Sequence, residues 1–251
     1  MIKVFVPKDS CALSLGAEAV ATAIARIAAE KGESIALVRN GSRGLYWLEP
    51  LVEVERPSGR YAFGPVQASD VESLFESGFL EGSDHPLFLG KTEEIPYLKH
   101  QQRLTFARVG ITDPVSLEDY LAHEGYQGLR RALQMTPSAI VDEVTESGLR
   151  GRGGAAFPTG IKWRTVLGAE GDQKYIVCNA DEGDSGTFSD RMIMEGDPFV
   201  LIEGMTIAGL AVGATQGYIY LRCEYPHAAT ALNAAIQAAE AARYLGNDIL
   251  G

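Results

Sequence analysis

The sequence predicts an α/β protein built in two successive parts. In each part, short runs rich in β-branched and aromatic residues alternate with longer segments whose apolar residues recur at helical spacing. The composition is that of a folded chain, with 46% hydrophobic and 22% charged residues among 251. A chain of this length can bury the core of one large domain or of two ordinary ones.

The first part is predicted to contain elements in the order β-α-β-β-β-α. The expected elements are a strand at 2–6, a helix at 17–30, strands at 34–38, 51–54 and 60–63, and a helix at 68–75. Val20, Ile24 and Ile27 recur at helical spacing, and Gly32 stops that helix. Pro57-Ser58-Gly59 is a hairpin signal. This order within residues 1–80 is that of a small thioredoxin-like domain, because short connections favour such topologies.

The second part begins after a less regular segment. Residues 81–135 are predicted to be a connector that wraps the next domain, with a short helix near 116–122. Thr136 and Pro137 then open a helix as N-cap and first-turn proline, and Gly148 ends it. Further elements are expected as a strand at 175–178, a helix at 197–212, a strand at 216–223 and a helix at 226–244.

Strands that alternate with helices of this length indicate a parallel, doubly wound sheet in residues 136–251. Only two strong strands are found there, and two parallel strands cannot cover their own faces. We therefore expect this second domain to be incomplete.

Charge and cysteine content exclude several classes of function. The net charge of -11 argues against a nucleic-acid or anionic-membrane partner. No apolar run approaches the roughly 20 residues of a membrane span, and the N-terminus is too polar for a secretory signal. Cys11, Cys178 and Cys223 lie far apart, so they predict neither a disulfide framework nor a metal site. No histidine stands in a recognisable base setting. The sequence predicts a cytoplasmic protein.

A glycine-dense turn lies at the centre of the chain. Gly151–Ala156 matches the G-x-G-x-x-A pattern of dinucleotide binding, but that pattern requires a preceding strand, and here a helix precedes it. The glycines alone are equally consistent with a flexible turn between helices. Arg150, Arg152 and Lys162 add positive charge, and Phe157 adds an aromatic face. Because helix N-termini bind phosphates, the combination favours a phosphate-bearing ligand.

An acidic turn follows the predicted strand at 175–178. Asn179, Asp181, Glu182 and Asp184 stand at its carboxyl end, where ligands bind in open α/β sheets. The ordinary alternative is a polar strand end. The density of acceptors instead favours binding of sugar hydroxyls and a ring N–H. Cys178 lies within the apolar run and is expected to be a small core residue.

Three segments carry a resemblance to a known family. They are GLRGRGGAAFPTGIKW from Gly148, CNADEGDSGTFSDR from Cys178 and YIYLRCEYP from Tyr218. In order and spacing, the chain from about Leu104 resembles the flavoprotein (51 kDa-type) subunit of NADH dehydrogenases. That family serves respiratory complex I, NAD-reducing hydrogenases and NAD-dependent formate dehydrogenases. The residues before Leu104 look most like the beta subunit of soluble molybdenum-containing formate dehydrogenases, which carries a thioredoxin-like extension.

The resemblance implies the first part of a Rossmann-like FMN-binding domain that exchanges hydride with NAD(H). Phe157 would stack on the NADH adenine, and Glu182 would be the catalytic residue, with Asp184 beside it on the nicotinamide side. The implied cofactor-binding residues are Gly151, Arg152, Gly153, Gly154, Phe157, Lys162, Asn179, Asp181, Glu182 and Asp184.

The sequence departs from the family pattern at three points. Ala156 stands where the family has glycine, and Asp184 replaces the commoner glutamate. The chain stops before the family's second acidic glycine turn and before the cysteines of its [4Fe–4S] cluster. That cluster is therefore expected only in a missing C-terminal region.

The first domain departs from its relatives at the cluster cysteines. Related thioredoxin-like ferredoxins hold a [2Fe–2S] cluster with four cysteines, whereas Ser42 and Tyr46 occupy two of those places here and Cys11 is the remaining thiol. A docking or structural module is expected instead.

The resemblance predicts a diaphorase subunit of a cytoplasmic formate dehydrogenase that passes electrons to iron–sulfur clusters. Its expected partners are a thioredoxin-like [2Fe–2S] gamma subunit and a molybdenum-containing catalytic alpha subunit. A diaphorase subunit of a hydrogenase or of complex I is one alternative, and a non-catalytic assembly fragment is another.

Overall fold

The computed structural model describes residues 1–82 and 84–250, which form two compact units. The first unit comprises Met1–Tyr120 and Met192–Asp197, and the second comprises Leu121–Arg191 and the residues from Pro198 on. The strands are β1 (Ile2–Phe5), β2 (Ile35–Val38), β3 (Val52–Arg56), β4 (Gly59–Phe63), β5 (Phe88–Lys91), β6 (Tyr175–Ala180) and β7 (Gln216–Leu221). The α-helices are α1 (Ser10–Ser14), α2 (Ala17–Lys31), α3 (Val71–Glu76), α4 (Pro96–Lys99), α5 (Leu117–Ala122), α6 (Gln127–Ala132), α7 (Pro137–Glu146), α8 (Thr159–Gly168), α9 (Ser189–Gly196), α10 (Pro198–Val212) and α11 (Pro226–Ala241).

The first unit is organised around a mixed sheet in the order β2-β1-β3-β4-β5. β1 and β2 are parallel, with Ile2 opposite Ile35, and the other neighbouring strands are antiparallel. β3 and β4 form the hairpin predicted around Pro57-Ser58-Gly59. The strand order confirms the predicted thioredoxin-like fold, and β5 extends the sheet beyond the strands that the sequence predicted.

One face of this sheet is covered by α2 and α3. Val20, Ile24 and Ile27 of α2 recur at helical spacing and are buried, and Gly32 ends the helix with a φ of 70° in the left-handed region. The shared core contains Val4, Val6, Val52, Val54, Phe63, Val71, Leu74 and Phe79. Burial of this apolar face positions the loops at the strand ends.

The second unit contains two parallel strands and the helices that cover one of their faces. β6 and β7 pair in register from Tyr175 opposite Gln216 to Ala180 opposite Leu221. α10 packs on both strands, and Ile176 joins its apolar cluster. The parallel pairing confirms the predicted α/β class. The other face of the strands exposes Tyr175, Val177, Tyr218 and Tyr220.

α7 and α8 pack closely and support the glycine turn that joins them. Thr136 caps α7 as predicted, because its hydroxyl accepts a hydrogen bond from the amide of Ala139 at 3.3 Å. A Cβ placed on Gly160 of α8 would lie 2.7 Å from the Cα of Thr145 in α7. Only glycine permits this approach.

The sequence did not predict α1, α4, α6 or α9. The segment that forms α9 reads SDRMIMEG and is only eight residues long, too short to be stable as an isolated helix, so its helix depends on tertiary contacts. The boundaries expected at 1–80, 81–135 and 136–251 stay a prediction. Among the described residues, no helix combines the length and apolarity that a membrane crossing requires.

Candidate functional site

The glycine turn between α7 and α8 presents unused main-chain donors. Its base is closed by hydrogen bonds from the amide of Gly151 to Phe157 and from the amide of Thr159 to Leu149, both at 2.9 Å. Within residues 1–82 and 84–250, the amides of 152–154 make no hydrogen bond. A Cβ on Gly153 or Gly154 would meet no atom within 4 Å. The turn therefore offers free N–H groups to open space.

Positive and aromatic side chains flank this turn. The guanidinium of Arg150 donates to the carbonyl of Ala156, and that of Arg152 donates to the carbonyl of Arg150, each at 3.0 Å. The Lys162 ammonium lies 6.0 Å from the centre of the Phe157 ring, which is 47% exposed. The first turn of α8 contains no acidic residue. Anions are attracted to such a helix start.

Ala156 adopts a φ of 49°, in the left-handed region that favours glycine. Strain of this kind costs about 1 kcal/mol for a residue with a Cβ. The family resemblance expects glycine at this position, so the backbone retains a glycine-like conformation although the residue has changed.

The acidic turn follows β6 as predicted. Asn179 orders its start by accepting a hydrogen bond from the amide of Asp181 at 3.2 Å. The carbonyl of Asp184 accepts from the amide and the hydroxyl of Thr187 at 3.2 and 2.7 Å. The carboxylates of Asp181 and Asp184 are exposed and have no hydrogen bond or ion pair in the described part of the chain. These two carboxylates are available to a ligand.

Glu182 has a different environment, because its carboxylate caps the N-terminus of α9. One oxygen accepts from the amide of Asp190 at 3.0 Å and from the Ser189 hydroxyl at 3.3 Å. The other accepts from the amide of Arg191 at 3.1 Å. A carboxylate at a helix start compensates free amides and the helix dipole. Glu182 therefore organises the acidic turn, and its catalytic role stays a prediction.

The turn after β7 also reaches Glu182, which the sequence did not predict. The Tyr225 hydroxyl donates to its carboxylate at 3.1 Å, and the Arg222 guanidinium donates to its main-chain carbonyl at 2.8 Å. The predicted sheet topology could have indicated this contact, because the carboxyl ends of neighbouring parallel strands meet at one edge of a sheet.

Three titratable groups near this edge have raised pKa values. Burial, followed by the charge of Asp190, raises the pKa of the Cys178 thiol. Burial and then the Glu182 charge raise the pKa of Asp190. Burial, with Glu182 nearby, also raises the pKa of the Tyr225 phenol. Cys178 is half-buried in the structure, so it is not the core residue that its place in an apolar run predicted.

The glycine turn and the acidic turn lie in the same unit. No hydrogen bond or ion pair within the described ranges joins them. The ligand roles of their residues remain a prediction.

The cysteine places of the first unit hold a hydrogen-bonded polar network. The Ser42 hydroxyl donates to Glu49 at 2.6 Å and accepts from the amide of Gly44 at 2.9 Å. A [2Fe–2S] cluster requires four strong ligands, as a rule thiolates, and a hydroxyl committed to a carboxylate does not fit that requirement. Among the described residues, no group of three or more His, Cys, Asp or Glu side chains could hold a metal ion.

Comparison with known proteins shows what the second part of the chain resembles. The sequence profile of the Nuo51 FMN-binding domain matches residues 144–249. This segment is therefore similar to the Nuo51 FMN-binding domain. It contains both turns described above.

The alignments with individual relatives cover only part of each relative. The HndC protein of the NADP-reducing hydrogenase of Solidesulfovibrio fructosivorans is 53% identical over 153 residues, 61% of this chain and 31% of the relative. The NADH-quinone oxidoreductase F protein of Aquifex aeolicus is 50% identical over 136 residues, which make up 54% of this chain and 32% of the relative. This chain thus spans about a third of the length of these relatives. A crystal structure of an NAD+-reducing [NiFe]-hydrogenase aligns with 96% of this chain and 41% of its own at a TM-score of 0.46 and 24% identity.

Residues 144–249 contain groups that fit FMN, the cofactor of the family whose profile they match. Free amides at 152–154 and the cation of Lys162 suit a phosphate. Unpaired carboxylates at Asp181 and Asp184 suit hydroxyl donors. No atom lies within 4 Å of where a Cβ would stand on Gly153 or Gly154, so a ligand can come close to the main chain there.

Proposed function

We propose that the chain is the NADH-oxidising, FMN-binding part of a diaphorase-type subunit. The observation that carries this proposal is the turn of free amides at 152–154 in a segment that matches the Nuo51 FMN-binding domain. When bound, FMN would accept a hydride from NADH and release electrons singly.

The chain's own contribution would be binding and orientation. The amides of 152–154, with Gly151, Arg152 and Lys162, would hold the phosphate. Asn179 and Asp181 would hold the hydroxyl-bearing part, and the exposed ring of Phe157 would stack on the nicotinamide dinucleotide's adenine. Asp184, with Glu182 behind it, would line the nicotinamide side. Hydride transfer needs no protein nucleophile, so placement and local charge account for the rate.

Three versions of the assembled enzyme compete. We propose a formate dehydrogenase, with a thioredoxin-like [2Fe–2S] gamma subunit, a molybdenum-containing alpha subunit and a cytoplasmic location. The thioredoxin-like first unit supports this version. The names of the relatives instead favour a hydrogenase or an NADH-quinone oxidoreductase. NAD+ reduction by the purified assembly with formate, but not with hydrogen, would support the first version.

The first unit is proposed to act in docking, because its Ser42 hydroxyl is committed to Glu49 where a cluster thiolate would stand. This role would also be the whole function if the chain were a non-catalytic assembly fragment. Flavin titration distinguishes the two, since an assembly fragment would show no saturable FMN binding.

The direct test of the proposal is flavin reduction. The chain is loaded with FMN and mixed with NADH without oxygen, and we expect the flavin absorption near 450 nm to bleach. Lys162→Gln should weaken FMN binding about tenfold, the equivalent of one lost charge-assisted contact. Lys99→Gln is the matched control, because Lys99 is exposed and pairs with Glu94 in the other unit. Bound FMN that NADH does not bleach would contradict the proposal.

A further inference from the structure

Two residues in the turn after β7 donate hydrogen bonds to Glu182, one to its side chain and one to its main chain. Tyr225 donates its hydroxyl to the carboxylate, and Arg222 donates to the main-chain carbonyl. The two contacts cross a sequence separation of 43 and 40 residues. They tie the acidic turn to the neighbouring strand of the sheet.

Two cationic side chains lie beside the ring of Tyr225 and fix its orientation. The guanidinium carbons of Arg191 and Arg222 lie 5.6 and 5.9 Å from the ring centre, and the residue is only 9% exposed. Cation–π contacts of this kind orient an aromatic ring. The hydroxyl is therefore directed at Glu182 by the packing of the ring.

Arg222 is oriented by a second carboxylate. Its guanidinium also contacts Glu224 at 3.2 Å, while another of its nitrogens reaches the Glu182 carbonyl at 2.8 Å. A planar guanidinium satisfies two acceptors at once in a fixed geometry. The carbonyl of Glu182 is thus held on the side of β7.

These contacts determine where the ligand-facing part of the turn lies. Glu182 stands between Asp181 and Gly183, and a Cβ on Gly183 would lie 3.7 Å from the Arg222 guanidinium and 3.9 Å from the Asp181 carboxylate. Fixing both the carbonyl and the carboxylate of Glu182 leaves little rotational freedom to the flanking peptide groups. The free carboxylate of Asp181 is placed as a consequence.

We propose that Arg222 and Tyr225 are positioning residues, which act through Glu182 to hold the acidic turn in the conformation that binds the flavin. This inference rests on the proposed function for its ligand, but its geometric part does not require FMN.

The main test uses Tyr225→Phe, which keeps the ring and removes only the hydroxyl. We expect the FMN dissociation constant, measured by quenching of flavin fluorescence, to rise about tenfold, as for loss of one hydrogen bond to a charged group. The amides of Asp190 and Arg191 should exchange with deuterium about tenfold faster, because their acceptor is loosened. Tyr220→Phe is the control, since Tyr220 lies on β7 just before this turn and is 68% exposed. It should leave both quantities unchanged.

A double-mutant cycle separates positioning from general packing. If Tyr225 acts through Glu182, then Tyr225→Phe should add little to the weaker FMN binding of Glu182→Gln. Arg222→Lys, which keeps the charge and loses the planar fork, should weaken FMN binding in the same direction. Additive effects in the cycle, or a lower melting temperature with unchanged FMN binding, would overturn the positioning role.

The same measurements separate this inference from the proposed function. If the unaltered chain does not bind FMN, the proposed function fails, and the exchange rates of Asp190 and Arg191 still decide the geometric claim. If Tyr225→Phe leaves those rates equal to the Tyr220→Phe control, the inference is wrong even when FMN binds.

Discussion

Glu182 shows what a single residue's sequence context could and could not predict. Its place after β6 correctly put it in the acidic turn at the strand's carboxyl end. Its carboxylate accepts hydrogen bonds from four donors, three at the start of α9 and one in the turn after β7. The residues next to Glu182 in the sequence do not predict any of these contacts. A carboxylate predicted as a ligand-facing group therefore has a capping role that only tertiary structure reveals.

Glu49 is a second residue whose environment was not predictable, and it leads to a pH prediction. It is 4% exposed, accepts from Ser42 and from the amide of Leu51, and faces the carboxylates of Asp9 and Glu53. Arg43 neutralises Glu53 through two hydrogen bonds at 2.8 and 3.0 Å. Burial, followed by the Asp9 charge, raises the pKa of Glu49 from 4.5 to about 7.

A raised carboxyl pKa makes the folded protein bind a proton that the unfolded chain has released. Stability should therefore fall as the pH rises from about 4.5 to 7, by about 3 kcal/mol for Glu49. Glu49→Gln, which is always neutral, should flatten this decline in the free energy of unfolding measured by urea at pH 5 to pH 8.

A smaller decline of the free energy of unfolding with pH should remain in Glu49→Gln. It is due to Asp9, because burial and then the charge of Glu195 raise the pKa of its carboxyl as well. Glu33→Gln, at an exposed position, is the control and should keep the full slope. The same decline in Glu49→Gln as in the unaltered chain would show that Glu49 does not carry the effect.

At the scale of elements, the contact of α7 with α8 determines where the glycine turn lies. The sequence predicted α7 from its cap and its apolar spacing, and both are confirmed. It placed the next helix start at Lys162, whereas α8 begins at Thr159. The sequence also did not predict the close packing at Gly160, because helix propensity contains no information on tertiary contacts.

Gly160→Ala tests this packing. The added Cβ would lie 2.7 Å from the Thr145 Cα, so the helices must separate. We expect the free energy of unfolding to fall by about 2–3 kcal/mol, as for an overpacked core position.

Gly168→Ala is the matched change at the other end of α8, where a Cβ meets no atom within 4 Å. It should be neutral or slightly stabilising because alanine favours a helix. Urea unfolding followed by circular dichroism measures both variants. Equal stability of the two would contradict the packing role of Gly160.

At the scale of the whole molecule, the α/β class, the thioredoxin-like order and the parallel pair β6–β7 followed from apolar periodicity and turn residues. Local patterns could predict these features because the spacing of apolar residues within each element determines which of its faces is buried. The sequence predicted no element at 192–196, and it assigned residues 222–226 only to a strand end and a helix start. In the structure the first segment packs in the first unit through Glu195, and the second reaches Glu182. Long-range hydrogen bonds of this kind leave no periodic signal.

Binding of one FMN molecule by both the glycine turn and the acidic turn is the claim on which the proposed function depends. It can be tested by titrating the isotopically labelled chain with FMN and following the amide chemical shifts by NMR. We expect saturable shifts at residues 151–154 and at 179–184, with the amides of α2 unchanged. Saturation with FMN that shifts neither turn, or no saturable shift up to millimolar FMN, would contradict the claim.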